Sequence, residues 1–143
     1  MSERFVVDSS VVMAWCFKDE SDVYTDWVLD SLSTFSALAP AIWPLEVVNV
    51  LLAAERRNRL AEADRIRFIS LLNRLPIRVE PQPPAEELMG GLPPVARKYG
   101  LSSYDASYLH LAMRNGLALA TRDGKLKAAA KKAKVALWIQ KRL

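Results

Sequence analysis

Cysteine, histidine and glycine are all scarce in this 143-residue sequence, with one, one and five copies respectively. Each scarcity narrows what the chain can be. The lone Cys16 cannot form an internal disulfide, which fits a reducing cytoplasm. Its place in the apolar run from Val11 to Phe17 marks it as core filler, free cysteine being among the most buried residue types. No glycine contributes to a Gly-x-Gly-x-x-Gly or Walker sequence after a strand, so nucleotide binding by those routes is excluded. Long apolar runs are missing too. The most hydrophobic stretch, Leu38 to Ala54, is interrupted by Pro40, Pro44, Glu46 and Asn49 and falls short of a membrane span. The N-terminus carries Arg4 beside Glu3 and shows no secretory signal. The expectation is one soluble, cytoplasmic domain over residues 1–143, able to bury roughly 70% of its unfolded surface without a metal or disulfide staple.

Charge of one sign is not scarce, but it is only slightly unbalanced. Twenty Lys and Arg against sixteen Asp and Glu leave +4, too little by itself to argue for nucleic acid. The distribution says more. From Arg122 onward come Lys125, Lys127, Lys131, Lys132, Lys134, Lys141 and Arg142, with Asp123 as the sole acid. A second cluster, Arg56, Arg57, Arg59, Arg65 and Arg67, is diluted by Glu55, Glu62 and Asp64. Such runs are either solvated helix faces or a surface that draws in a polyanion.

Phe5-Val6-Val7 is an unbroken β-favouring run that reads as a strand buried on both faces in a parallel sheet. Helices are expected over Ser9–Phe17, Val23–Phe35, Trp43–Asn58 with proline in its first turn, Ala61–Leu75, Glu86–Tyr99, Ser103–Asn115 and Lys125–Lys134. The fourth has an apolar stripe of Ile66, Ile69, Leu72 and Leu75. The fifth is weakened by Gly90-Gly91 and Pro93-Pro94 and could be two pieces. Further strands fall near residues 37, 77, 118 and 136. The alternation predicts an α/β fold, a three-layer α/β/α sandwich with a mainly parallel, roughly five-stranded sheet.

Four acids stand out. Asp8 ends the first strand, and in open α/β sheets ligands bind beyond the carboxyl ends of the strands; the alternative is that it merely caps the helix after it. Glu46 lies in Ile42-Trp43-Pro44-Leu45-Glu46-Val47-Val48-Asn49, apolar nearly all round, so its helix is expected to be buried on most faces. A carboxylate there costs several kcal/mol unless paired, either with an arginine or with a ligand. Asp105 opens the sixth helix, where Ser102 with Asp105 also resembles a capping box. Asp123 follows the strand Leu117–Ala120, with Thr121 two residues before it, and could cap the last helix. Caps do not explain a buried glutamate or two acids ending buried strands. Four carboxylates in one crevice repel unless a divalent cation neutralises them. An all-oxygen set suits Mg²⁺ or Mn²⁺, an ion that polarises a phosphate ester and acidifies a water for in-line attack.

With those residues in place, the chain resembles the PIN-domain family, specifically the toxins of VapBC-type toxin–antitoxin pairs. The resemblance rests on Val6-Val7-Asp8-Ser9-Ser10, Pro44-x-Glu46-Val47-x-Asn49, Leu101-Ser102-Ser103-Tyr104-Asp105-Ala106 and Ala120-Thr121-Arg122-Asp123, in that order over essentially the whole length. It implies a metal-dependent endoribonuclease. Asp8 and Asp105 would be the most direct Mg²⁺ or Mn²⁺ ligands. Glu46 would bind the ion or position the attacking water, and Asp123 would act directly or through water. Ser10 and Thr121 match positions that support the site by hydrogen bonding, and Asn49 a polar position beside the glutamate. A homodimer, an RNA substrate, a cognate VapB-type antitoxin laid across the groove, and products with 5′-phosphate and 3′-hydroxyl ends are also implied.

Other assignments fit less well. A haloacid-dehalogenase-type phosphotransferase needs a second aspartate where Ser10 stands, and a receiver domain needs an acidic pair that Glu3 alone does not supply. His110 lies about 140° around the helix from Asp105 and reads as a packed or surface residue, not a general base. The rival from another class is a non-catalytic PIN-like module that binds RNA or a partner; the intact set of four acids argues against it.

Overall fold

In the computed structural model, which describes residues 3–140, Phe5, Val6 and Val7 are fully buried. They form strand β1 (Arg4–Val7), the second strand from one edge of the sheet. Side chains alternate across a strand, so burial of three in succession requires cover on both faces. Helices α1 (Ser9–Cys16), α2 (Val23–Ser31) and α3 (Trp43–Arg56) follow, with β2 (Ser36–Ala39) between the last two and a short 3₁₀ turn (Lys18–Glu20) after α1. Next come α4 (Glu62–Arg74), β3 (Ile77–Val79), α5 (Ala85–Tyr99), α6 (Ser103–Asn115), β4 (Ala118–Ala120) and α7 (Gly124–Lys132). The strands run in the order β3-β2-β1-β4 and every pairing is parallel. The α/β fold expected from the alternation of strands and helices is what forms.

Among the described residues the sheet has four strands rather than five. Val135–Trp138 makes only an isolated parallel bridge, Leu137 against Leu119. Leu119 N–H donates to Ala136 O and Trp138 N–H to Leu119 O, both at 2.9 Å. The ladder stops there because β4 is only three residues long and because Trp138 is occupied otherwise. Its ring stacks on Phe5 at 4.5 Å, and its carbonyl accepts from the Tyr24 hydroxyl at 2.7 Å. Lys141 and Arg142 of the basic C-terminal segment lie outside the described residues.

The helices differ from expectation where a local detail overrode a pattern. α2 ends at Ser31 instead of Phe35, unwinding into a turn in which Ser33 and Thr34 N–H reach back only three residues. In α4 the buried residues are Phe68 and Leu72, one turn apart, while Ile66 is exposed. α5 is one helix despite Pro93-Pro94. Those prolines cannot donate to the carbonyls of Met89 and Gly90, but both of these residues are exposed, so water can satisfy the freed oxygens. Gly100 and Gly116 close α5 and α6 in the left-handed conformation, with φ of 66° and 62°.

The largest correction concerns α3. It is buried along one stripe only, Trp43, Val47, Leu51 and Ala54. Leu45 is 68% exposed and Val48 43%, with Asn49 beside them at the surface. Apolar sequence all round did not mean burial all round.

Candidate active site at the carboxyl edge of the sheet

The β1–β4 pairing sets Val7 opposite Ala120, and Asp8 N–H donates to Ala120 O at 2.9 Å, continuing the ladder by one residue. This register delivers Asp8 and Thr121 side by side at the carboxyl ends of the two strands. Asp8 is 96% buried, its relative exposure being 4%. It stands at the N-cap position of α1 but makes no capping bond with its side chain. Its Oδ2 instead accepts from Ser10 Oγ at 2.7 Å and from Thr121 Oγ1 at 2.8 Å. Both hydroxyls are anchored in turn. Arg122 N–H donates to Ser10 Oγ at 3.2 Å, and Asp123 N–H to Thr121 Oγ1 at 3.0 Å. One carboxylate oxygen of Asp8 is thereby fixed by two donors whose own positions are set by the turn after β4.

Asp123 does act as a cap. Its Oδ1 accepts from Lys125 N–H at 2.9 Å and starts α7. Ser102 caps α6 by accepting from Asp105 N–H at 3.1 Å, which sets Asp105 in the first turn of that helix. Glu46, in the first turn of α3, is only half-buried and pairs with no arginine among the described residues. Its Oε1 accepts a short hydrogen bond from the hydroxyl of Tyr108. Tyr108 is fully buried and stands one turn after Asp105 on α6. This tyrosine was not singled out from the sequence; its spacing of three from Asp105 was the available signal, since residues three apart share a helix face. Asn49 is exposed, and its side chain makes no hydrogen bond among the described residues. His110 sits on the other side of α6, where its Nδ1 accepts from Arg114 Nε at 3.3 Å.

The four acids feel one another. Burial is the main reason the Asp8 carboxyl holds its proton more tightly than usual, with the charge of Asp123 adding to this and the Ser10 and Thr121 hydroxyls opposing it. Burial also leads in raising Glu46, reinforced by Asp8 and Asp105 and opposed by the Tyr108 hydroxyl. Asp105 is raised by burial, then by Asp8 and Asp123; Lys125 works the other way. Yet among the described residues no ion pair reaches any of the four. Arg122, the nearest arginine in sequence, is committed to Asp22 at 3.4 Å. No three His, Cys, Asp or Glu side chains among the described residues already stand together as a cation cage. The donor set nonetheless fits a hard divalent ion, being all oxygen, mutually repelling and without an ion pair among the described residues.

The surroundings divide into two kinds of basic surface. Around α4 the arginines are largely compensated: Arg59 by Asp19 and Glu20, Arg65 by Glu55 and Arg67 by Asp64. On α7 and just after it, Lys125, Lys127, Lys131, Lys132 and Lys134 are all exposed with no ion pair among the described residues.

A buried acid at the end of a central parallel strand, with three more acids contributed by other elements, places this chain among the α/β proteins whose functional groups gather at the carboxyl edge of the sheet. The sequence matches the PIN domain over residues 5–132, and the chain belongs to that family. No curated protein matches it. Among solved structures it is similar to PAE2754 from Pyrobaculum aerophilum, at 26% identity and a TM-score of 0.61 over 90% of this chain and 87% of that one. It is also similar to VapBC2 from Rickettsia felis, solved bound to a DNA fragment from its promoter, at 11% identity and a TM-score of 0.66 over 94% and 97% of the two chains. A third similar structure is FitAcB from Neisseria gonorrhoeae, at 19% identity and a TM-score of 0.57 over 94% and 96%. At 11% and 19% identity the last two speak for the fold alone.

Proposed function

We propose that the chain is a single PIN domain acting as a Mg²⁺- or Mn²⁺-dependent endoribonuclease, the toxin of a VapBC-type toxin–antitoxin pair. The observation that carries this reading is Asp8, a buried carboxylate braced by two hydroxyls, with the like charge of Asp123 acting on it and no ion pair among the described residues. Burying such a group is costly unless a partner relieves it. Family membership supports nuclease chemistry, and the resemblance to toxin–antitoxin complexes supports a cognate antitoxin that covers the site. A homodimer in the cytoplasm belongs to the same reading.

In this reading Asp8 and Asp105 would hold the ion, with Asp123 able to contribute the oxygen not used in capping α7. When bound, the ion neutralises charge on the phosphoryl oxygens and acidifies a water. Tyr108 holds Oε1 of Glu46, leaving Oε2 to orient the attacking water and accept its proton. Ser10 and Thr121 keep Asp8 in one rotamer, so its second oxygen stays aimed at the site. The uncompensated lysines of α7 attract the RNA backbone to the same edge.

The test is cleavage of single-stranded RNA with Mg²⁺ or Mn²⁺ and with EDTA, by the wild-type chain and by Asp8→Asn. The expected result is cutting that needs the ion and disappears in the variant, with 5′-phosphate and 3′-hydroxyl ends. Cutting that survives in EDTA or in Asp8→Asn would overturn the reading.

A further inference from the structure

On the far side of α6 from Asp105 lies a cavity of about 180 Å³ that the proposed mechanism does not use. Its walls are apolar, from Pro40, Ile42, Pro83, Leu88 and Leu92, and its polar rim carries Gln82, Ser107 and the Glu80–Arg114–His110 cluster. That cluster is joined by hydrogen bonds. Arg114 grips Glu80 with two bonds, Nη1 to Oε1 at 2.7 Å and Nη2 to Oε2 at 3.2 Å, and donates through Nε to His110 Nδ1. The imidazole is held against α5 at Gly91, where a side chain would start only 3.1 Å from the ring.

The cavity and the acids are built from the same two helix starts. Ile42, at the N-cap of α3, lies one turn before Glu46, and Ser103 and Tyr104, both lining the cavity, immediately precede Asp105. Tyr104 is 57% exposed and lines the cavity one residue before Asp105, an aromatic shared by the two helix-start regions. A small apolar slot with a few fixed polar groups is what a flat heterocycle requires. Sequence-selective RNA recognition works by splaying unstacked bases into such slots and onto aromatic rings. We infer that the cavity between α5, α6 and the ends of β2 and β3 takes one unstacked base of the RNA substrate and sets sequence preference next to the cut bond. This rests on the nuclease reading for its substrate class, but base binding is measurable without cleavage.

The test has two arms. In the first, the ¹⁵N-labelled chain in EDTA is titrated with adenosine, guanosine, cytidine and uridine. At least one nucleoside is expected to shift the amides of Ser107, His110 and Gln82, and Ser107→Phe, which fills the cavity, is expected to abolish those shifts. In the second, cut sites on random-sequence RNA are mapped in Mg²⁺ or Mn²⁺. The wild-type chain should prefer one base beside the cut by about tenfold, as one stacked and hydrogen-bonded base allows. That preference should fall below about twofold in Ser107→Phe, with cutting at other sites retained. Gln82→Ala, on an exposed loop away from the core, should weaken the preference without risk to folding. No nucleoside shift at the cavity, or an unchanged base preference in folded Ser107→Phe and Gln82→Ala, would overturn the inference. Nucleoside shifts with no cleavage in either ion would keep the base site and remove the nuclease reading.

Discussion

Phe5, near the start of strand β1, and Asp8, just past its end, are three residues apart and both buried, yet their surroundings are stabilised in opposite ways. At one end Phe5 stacks on Trp138, which also meets Trp27 at 5.9 Å and the edge of Phe35 at 5.2 Å. Every requirement there is met inside the chain, down to the Trp138 indole N–H on Ser31 Oγ at 3.4 Å. Past the other end, Asp8 has hydrogen bonds but no opposite charge among the described residues, and the charge of Asp123 adds to the difficulty of its burial. An apolar end that satisfies itself needs no explanation beyond folding. A charged end that does not is where an external partner is expected, because unrelieved electrostatic cost in a native site tends to mark function.

Substitutions should separate the two ends sharply. The largest effect is expected from Asp8→Asn or Asp105→Asn. Each should lower RNA cleavage by about three orders of magnitude or more, measured in single-turnover assays, with the far-ultraviolet circular dichroism unchanged. Trp138→Ala should do the reverse, lowering stability by about 3–5 kcal/mol through the cavity it leaves in urea unfolding, while Mn²⁺ affinity per folded molecule is kept. Tyr108→Phe sits between them. Removing the hydroxyl that orients Glu46 should lower activity or Mn²⁺ affinity about 10–100-fold, measured by calorimetry and cleavage rate, with Glu46→Gln not additive to it. Replacing Lys127, Lys131 and Lys132 with alanine should weaken RNA binding irrespective of sequence and reduce the salt slope by about one per lysine.

The ends should also differ in their response to pH. Asp8, Glu46 and Asp105 all bind their protons more tightly than usual, so folding of the ion-free chain takes up protons. The contribution of these three acids to its stability should therefore be most favourable in acid and should fall as pH rises from the ordinary carboxylate range, about 4, through the raised values. Cleavage should rise across that same interval, since it needs the acids ionised. Trp138→Ala should leave the shape of both profiles unaltered.

Much of this was legible in the residues because it depended on local rules. The buried run before Asp8, the glycine stops at Gly100 and Gly116 and the acid closing the strand at Ala120 each carry their signal within a few positions. What escaped depended on neighbours distant in sequence. Hydrophobicity alone could not say that Leu45 and Val48 face solvent, because that is decided by where α3 lies on the sheet. The rest of Glu46's environment was a choice between an arginine and a ligand, and the fold supplied a tyrosine from 62 positions away instead. The fifth strand was lost to one side chain, as Trp138 turned inward onto Phe5. Asp8 looked equally suited to capping α1, and only the parallel register with β4, which brings Thr121 beside it, shows its oxygen otherwise engaged.

The central claim is that the carboxyl edge carries electrostatic strain which a divalent ion relieves. Thermal unfolding at neutral pH, with EDTA or with excess Mn²⁺, tests it most directly in the wild-type chain and in Asp8→Asn. In EDTA the variant should melt higher than the wild type; with Mn²⁺ the wild type should gain several degrees and the variant little. A variant that melts lower in EDTA and responds to Mn²⁺ as the wild type does would contradict the account.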